Sequence, residues 1–157
     1  MSIYLFLIFS LFINMDPSKG QYIKNYYENG NLKSEGWVIN QSKTGYWKFY
    51  GENAKLTSKG SFKDNKKSGY WYFYNETEIL KKEGHFVEGS AENWWIFYEI
   101  DSPFKVKIQF KNNERNGYAL CYKNNEIIRA EKYRNNVKIG SWTSLLAFKL
   151  ANPEINF

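Results

Sequence analysis

The sequence predicts an all-β protein, an elongated single-sheet array of antiparallel β-hairpin repeats with a period of 24 residues. Three observations predict it. A Trp- and Tyr-rich segment returns at fixed spacing, with Trp47, Trp71 and Trp95 each 24 residues apart. Within each unit, side chains alternate between two faces, as they do in a strand. Aromatics make up 20% of the 157-residue chain, with 13 Tyr, 12 Phe and 6 Trp, and such rings favour the pleated surface of a sheet.

The N-terminal segment comes first. Ile3 to Ile13 is an uncharged apolar run. It is shorter than the roughly 20 residues of a membrane-spanning helix. It matches the apolar centre of a signal peptide, although no basic residue precedes it and no small-x-small pattern follows. Residues 1–20 are therefore read as a signal peptide or N-terminal apolar segment, and the protein as exported: periplasmic, outer-membrane-associated or secreted. Two alternatives stay open: a retained anchor, and a cytoplasmic protein initiated at Met15.

Residues 21–143 are read as the repeats. Gly45-Tyr46-Trp47-Lys48-Phe49-Tyr50 returns as Gly69-Tyr70-Trp71-Tyr72-Phe73-Tyr74 and again as Asn93-Trp94-Trp95-Ile96-Phe97-Tyr98. The same spacing links Gly36, Gly60 and Gly84; Val38, Phe62, Phe86 and Phe110; and Leu32, Leu56, Leu80, Phe104 and Ile128. Each unit reads as two short strands and two turns. Trp47 and Phe49 point to one face, and Tyr46, Lys48 and Tyr50 to the other. The turns fall at Gly51-Glu52-Asn53 and at Asp64 to Ser68. Because 24 is even, every unit presents the same face, so the Trp, Phe and Leu columns stack along the array. Gly36, Gly60 and Gly84 sit inside strands, where the neighbouring Trp rings would come close. The register weakens at both ends. Ala119 replaces Trp in the fourth unit, and Gly140-Ser141-Trp142 opens a truncated last unit after the loss of one residue. Residues 144–157 form a C-terminal cap or tail; Ser144 to Leu150 reads as a short capping helix or a final strand, of which a strand followed by a disordered end is preferred.

These motifs resemble the MORN repeat, most closely the bacterial variant of YwqK-type antitoxin-like proteins. The resemblance runs from about Tyr26 to Trp142, strongest in Tyr26 to Lys33, Gly45 to Phe62 and Gly69 to Phe86. The turn glycine of the variant is present as Gly30 but missing after Tyr50 and Tyr74, and Asn93 and Ile108 replace two glycines, which leaves strand pairing in the third unit open. The resemblance implies hairpins assembled into a twisted sheet, with protein or membrane contact in place of catalysis. An antitoxin role is implied by the family label alone.

The remaining residues fit a non-enzymatic interaction or scaffold module. His85 is the only histidine and Cys121 the only cysteine, so neither a metal nor another cofactor is expected. The carboxylates Glu76, Glu78, Glu88 and Glu92 fall in turns, which are poor places for a convergent acid–base pair. No glycine loop precedes a helix, and neither a small-molecule substrate nor nucleic acid is expected. Net charge is +6, with the lysines gathered in turns such as Lys63 to Ser68. The partner expected is a protein, with an anionic membrane surface as the alternative. Tyr26, Tyr50, Tyr74, Tyr98 and Tyr122 are each 24 apart and opposite the Trp face, which makes them the candidate partner-binding ladder. The alternative is that they only stabilise cross-strand pairing.

Overall fold

A computed structural model describes residues 19–153; residues 1–18 of the expected signal segment and the last four residues, part of the expected tail, lie outside the described part. Among the described residues the chain forms one sheet of eleven strands in sequence order, every neighbour antiparallel. The strands are β1 Gln21–Tyr26, β2 Leu32–Ile39, β3 Ser42–Tyr50, β4 Leu56–Lys63, β5 Lys66–Tyr74 and β6 Leu80–Val87. They continue as β7 Ser90–Tyr98, β8 Phe104–Lys111, β9 Glu114–Lys123, β10 Glu126–Arg134 and β11 Val137–Trp142, followed by the helix α1 Leu145–Ala151. The all-β hairpin array expected from the period is thus the fold.

A single sheet has no second layer, so its core must be built on one face. Trp47, Trp71 and Trp95 are buried there, against the glycines of adjacent strands. A Cβ added at Gly36, Gly60 or Gly84 would lie 2.3, 2.4 or 2.2 Å from the indole of Trp47, Trp71 or Trp95. The ring therefore lies flat over bare backbone. Phe49, Phe73 and Phe97 on one side and Phe62, Phe86 and Phe110 on the other complete a continuous run of ring contacts, with centroids 5.0 to 6.4 Å apart. Each indole N–H donates to the backbone carbonyl ten residues earlier: Trp47 to Trp37, Trp71 to Ser61 and Trp95 to His85, at 3.0, 3.0 and 3.2 Å. These carbonyls stand at breaks in the ladder between β2 and β3, β4 and β5, and β6 and β7.

The breaks are β-bulges, and each of them, together with the matching break between β8 and β9, holds a residue in the left-handed region: Gly45, Gly69, Asn93 and Gly117, with φ of +62°, +69°, +60° and +108°. Asn tolerates this conformation better than other side chains. Asn93 therefore replaces glycine without loss of pairing, and β7–β8 runs without a register shift. The third hairpin is paired throughout but differs in register: it lacks the shift that β3–β4 and β5–β6 carry before Tyr50 and Tyr74, so Tyr98 pairs with Lys105.

Three other expectations change. The turn after β4 is only the pair Asp64-Asn65, both with positive φ, because Lys66 already pairs with Lys63. The Leu column is half-buried at best, and Phe104 and Ile128 are exposed. The segment expected as a final strand is the helix α1. Leu145 to Ala151 contains no β-branched residue, the Ser144 hydroxyl accepts from the Ala147 N–H, and Phe148 has a buried seat.

Turns of successive units bond to one another. Asn65, Asn113 and Asn136 side-chain oxygens accept from the Lys43, Ala91 and Arg115 backbone N–H at 2.7, 2.7 and 2.8 Å. This stitching fixes the stacking of one hairpin on the next at the edge of the sheet.

Candidate functional site

The face opposite the indoles is where exposed side chains collect. The five candidate tyrosines all lie on it, but in different roles. Tyr26 is 58% exposed, at the end of the edge strand. The Tyr50 hydroxyl donates to Glu35 at 2.8 Å and that of Tyr98 to Glu83 at 2.6 Å. Burial and then the carboxylate bond push Tyr50 up to about 12, and Tyr98 rises for the same reasons. Glu35 is held below the usual carboxylate range, chiefly by the Tyr50 hydroxyl, with Lys24 and Lys48 nearby at 3.8 Å. Tyr74 meets Lys59, whose Nζ stands 5.6 Å from its ring centre. Tyr122 is half-buried in the cluster beneath α1. Four of the five are thus engaged within the sheet.

A second column, four residues earlier in each unit, carries the open surface. Tyr22, Tyr46, Tyr70, Trp94 and Tyr118 are also 24 residues apart. Tyr22, Tyr46 and Tyr70 are 45%, 46% and 39% exposed, and Trp37 beside Tyr22 is 46% exposed. The bulges explain their prominence. Tyr46, Tyr70, Trp94 and Tyr118 each follow the left-handed residue of a bulge, and a bulge re-aims the side chain beside it. The sequence reading overlooked this column although it obeys the same period, because the Trp47 motif beside it accounts for the aromatic composition.

Between these rings stand Trp37, Ser61, His85 and Gln109 on the intervening strands. His85 lies edge-on to Tyr70 with centroids 6.2 Å apart. Lys24, Lys48 and Lys59 flank the row, and only Glu35 opposes them near Tyr46.

The far end of the row is covered. Phe148 of α1 is buried against Leu120, Ala130, Tyr118 and Trp142. Its ring centre is 5.5 Å from that of Tyr118 and 5.3 Å from that of Trp142. Asn152 accepts from the Tyr118 hydroxyl at 3.0 Å and from Lys132 Nζ at 3.4 Å. Trp142, in the segment that opens the truncated last unit, does not continue the Trp47 column. Trp142 pairs with Ala130, which pairs with Leu120, so it stands on the tyrosine face with its ring over Gly140. A slip of one residue exchanges the two faces of a strand.

The carboxylates expected in turns hold structure, although Glu92 lies within β7. Glu78 accepts from the Leu56 N–H and pairs with Lys55, Glu88 pairs with Lys66, and Glu92 accepts from the Asn112 N–H. Cys121 is buried beside Arg129. No protein-family model and no curated protein matches the chain.

Proposed function

We propose that this chain is a non-catalytic binding scaffold that takes a protein partner on its tyrosine face. One observation carries the reading: an aromatic row runs along that face, open from Tyr22 to Tyr70 and covered at Tyr118 by the chain's own helix. Scattered exposed aromatics need no partner, whereas a contiguous patch marks a contact surface. Tyr and Trp supply large contact area at little cost in side-chain entropy. The indole face offers less, since its rings are spent on one another. The resemblance to MORN repeats supports a scaffold, and the apolar run Ile3 to Ile13 supports export, which the mature N-terminus tests by mass spectrometry.

An anionic membrane surface is a second reading. It is favoured by Lys43, Lys67 and Lys82, which line the indole face above its rings. A photo-crosslinking amino acid placed at position 46 separates the two. The protein-partner reading expects a discrete protein adduct in the native cells, lost when Tyr70→Ala is added. A crosslinker at Ser58, on the indole face, should give no such adduct. Equal adducts at both positions, or lipid adducts alone, count against the tyrosine face as a protein site.

A further inference from the structure

We infer that the cleft over Phe49, between Lys43 and Lys67, binds a small tetrahedral oxyanion of the phosphate or sulfate class. The site lies on the indole face, opposite the tyrosine row, and is separate from the protein-binding surface proposed above. The strand register brings its members together. Lys43 on β3 pairs with Val38, Lys67 on β5 pairs with Phe62, and Ser58 on β4 stands between Phe49 and Phe73. Lys43, Phe49, Ser58, Phe62, Lys67 and Trp71 line a cleft of about 210 Å³.

The polar groups of this lining are two ammoniums and a hydroxyl, and all of them can donate. The Lys43 Nζ stands 5.1, 5.4 and 5.4 Å from the ring centres of Trp47, Phe49 and Phe62. The Lys67 Nζ stands 4.6, 5.0 and 5.1 Å from those of Trp71, Phe73 and Phe86. A ring face attracts the charge but does not replace acceptor oxygens for three N–H donors. Among the described residues neither ammonium pairs with a carboxylate, and the Ser58 hydroxyl has no hydrogen-bond partner.

The imbalance belongs to this face. Lysines elsewhere do find carboxylates: Lys24 and Lys48 share Glu35, Lys55 has Glu78 and Lys66 has Glu88. Glu35, Glu83 and Glu92 are the carboxylates within β2 to β7, and they pair across the ladder with Lys48, Tyr72 and His85, on the tyrosine side. The indole side of these six strands therefore holds cations alone. Lys82 is the third of them, with its Nζ 5.0 Å from the Phe73 ring centre that Lys67 also approaches. Burial, and then the charge of Lys82, push the Lys67 ammonium below its ordinary pKa. The rings thus do not offset what the ammonium loses with its water.

An oxyanion in the cleft supplies what is missing. It accepts from Lys43 and Lys67 on two strands and from Ser58 on the strand between, and it screens Lys67 from Lys82. Donors arriving from three strands suit a tetrahedral group, whose oxygens point several ways, better than a planar carboxylate. The lysines are half-buried, folded down on their rings. A flat membrane surface calls instead for lysines that extend into solvent. The recess therefore favours a small soluble anion.

The test titrates the full chain with inorganic phosphate at constant ionic strength and neutral pH, read by NMR. Lysine side-chain resonances of Lys43 and Lys67 and the Ser58 amide should shift, while Lys48 and Lys59 on the other face stay still. Lys67→Met keeps the aliphatic chain over the rings and removes the charge. It should weaken binding at least about tenfold, the loss of a charge-assisted hydrogen bond, while Ser58→Ala should weaken it about threefold. Lys67→Arg should retain binding, and Lys48→Met should leave it unchanged. Urea midpoints no lower than that of the parent show that Lys67→Met is folded; Lys43→Met carries the same comparison should it not be. The inference is overturned if chloride or acetate at equal ionic strength moves the same resonances equally, if Lys48→Met weakens binding as much as Lys67→Met, or if phosphate moves none of them. Cosedimentation with phosphatidic acid vesicles that Lys67→Met abolishes, without any response to inorganic phosphate, overturns it in favour of a membrane surface.

Discussion

Adding a side chain at Gly60 tests how the core of a one-layer sheet is made. A Cβ at Gly60 would stand 2.4 to 2.5 Å from three atoms of the Trp71 indole. The ring would have to retreat by more than about 1 Å to reach ordinary contact distance. It has nowhere to go: Trp71 is buried, donates to the Ser61 carbonyl at 3.0 Å and lies between Phe49 and Phe73. Gly60→Ile should therefore cost about 2–4 kcal/mol, combining overpacking with the lost indole bond. Trp71→Ala should cost about 3–5 kcal/mol through the cavity it leaves. The double variant should cost no more than either alone, because the Ile side chain occupies the space of the ring. The protein already contains this exchange. In the fourth unit Ile108 stands in the glycine column and Ala119 in the Trp column, paired with one another and both buried. Urea unfolding of the four proteins, followed by circular dichroism, gives the coupling. The account expects at least about 2 kcal/mol of favourable coupling. Costs that add within about 0.5 kcal/mol would refute the interlocking of glycine and indole.

Three further outcomes follow. Phe148→Ala should release α1 while leaving the sheet folded, since a seven-residue helix does not hold alone. Hydrogen exchange should rise at residues 145–151 and stay slow in β3 to β7. Asn113→Ala should cost about 1–2 kcal/mol in thermal or urea unfolding, because it removes both a residue suited to φ of +68° and the bond to Ala91. Asn113→Gly should restore the first part only. Tyr50→Phe should flatten the fall of stability at low pH. Folding lowers the pKa of Glu35, chiefly through the Tyr50 hydroxyl, so this stabilisation is present above the ordinary carboxylate range and disappears as pH falls through it. The variant should lose about 1 kcal/mol at pH 7 and lose little more on acidification, read from urea midpoints across the pH range. An unchanged pH profile would show that the hydroxyl does not hold Glu35.

Much of this architecture is legible in the sequence, for a physical reason. A stacked array must repeat its core residues at the repeat length, so Trp47, Trp71 and Trp95 with their glycines announce both the period and the buried face. The residues that make the surface are harder to read. Tyr46 and Tyr70 protrude because a left-handed residue precedes each in a bulge, and alternation alone does not reveal a bulge. The Tyr50 column looks equally outward in a period-of-two reading, yet its hydroxyls are taken by Glu35 and Glu83 on neighbouring strands. Trp142 changes face through a slip that sequence spacing cannot distinguish from a deletion. α1 is settled by the seat that Phe148 finds on Tyr118, a contact across 30 residues of chain.

The division of labour between the two faces is the central claim, and side-chain accessibility measures it most directly. Hydroxyl-radical footprinting of the folded chain, resolved by residue in mass spectrometry, reads every aromatic at once. The account expects Tyr22, Trp37, Tyr46 and Tyr70 to react readily, Trp47, Trp71 and Trp95 to stay protected, and Tyr118 to become reactive only in Phe148→Ala. Trp71 reacting as fast as Tyr46 in the intact chain would contradict it.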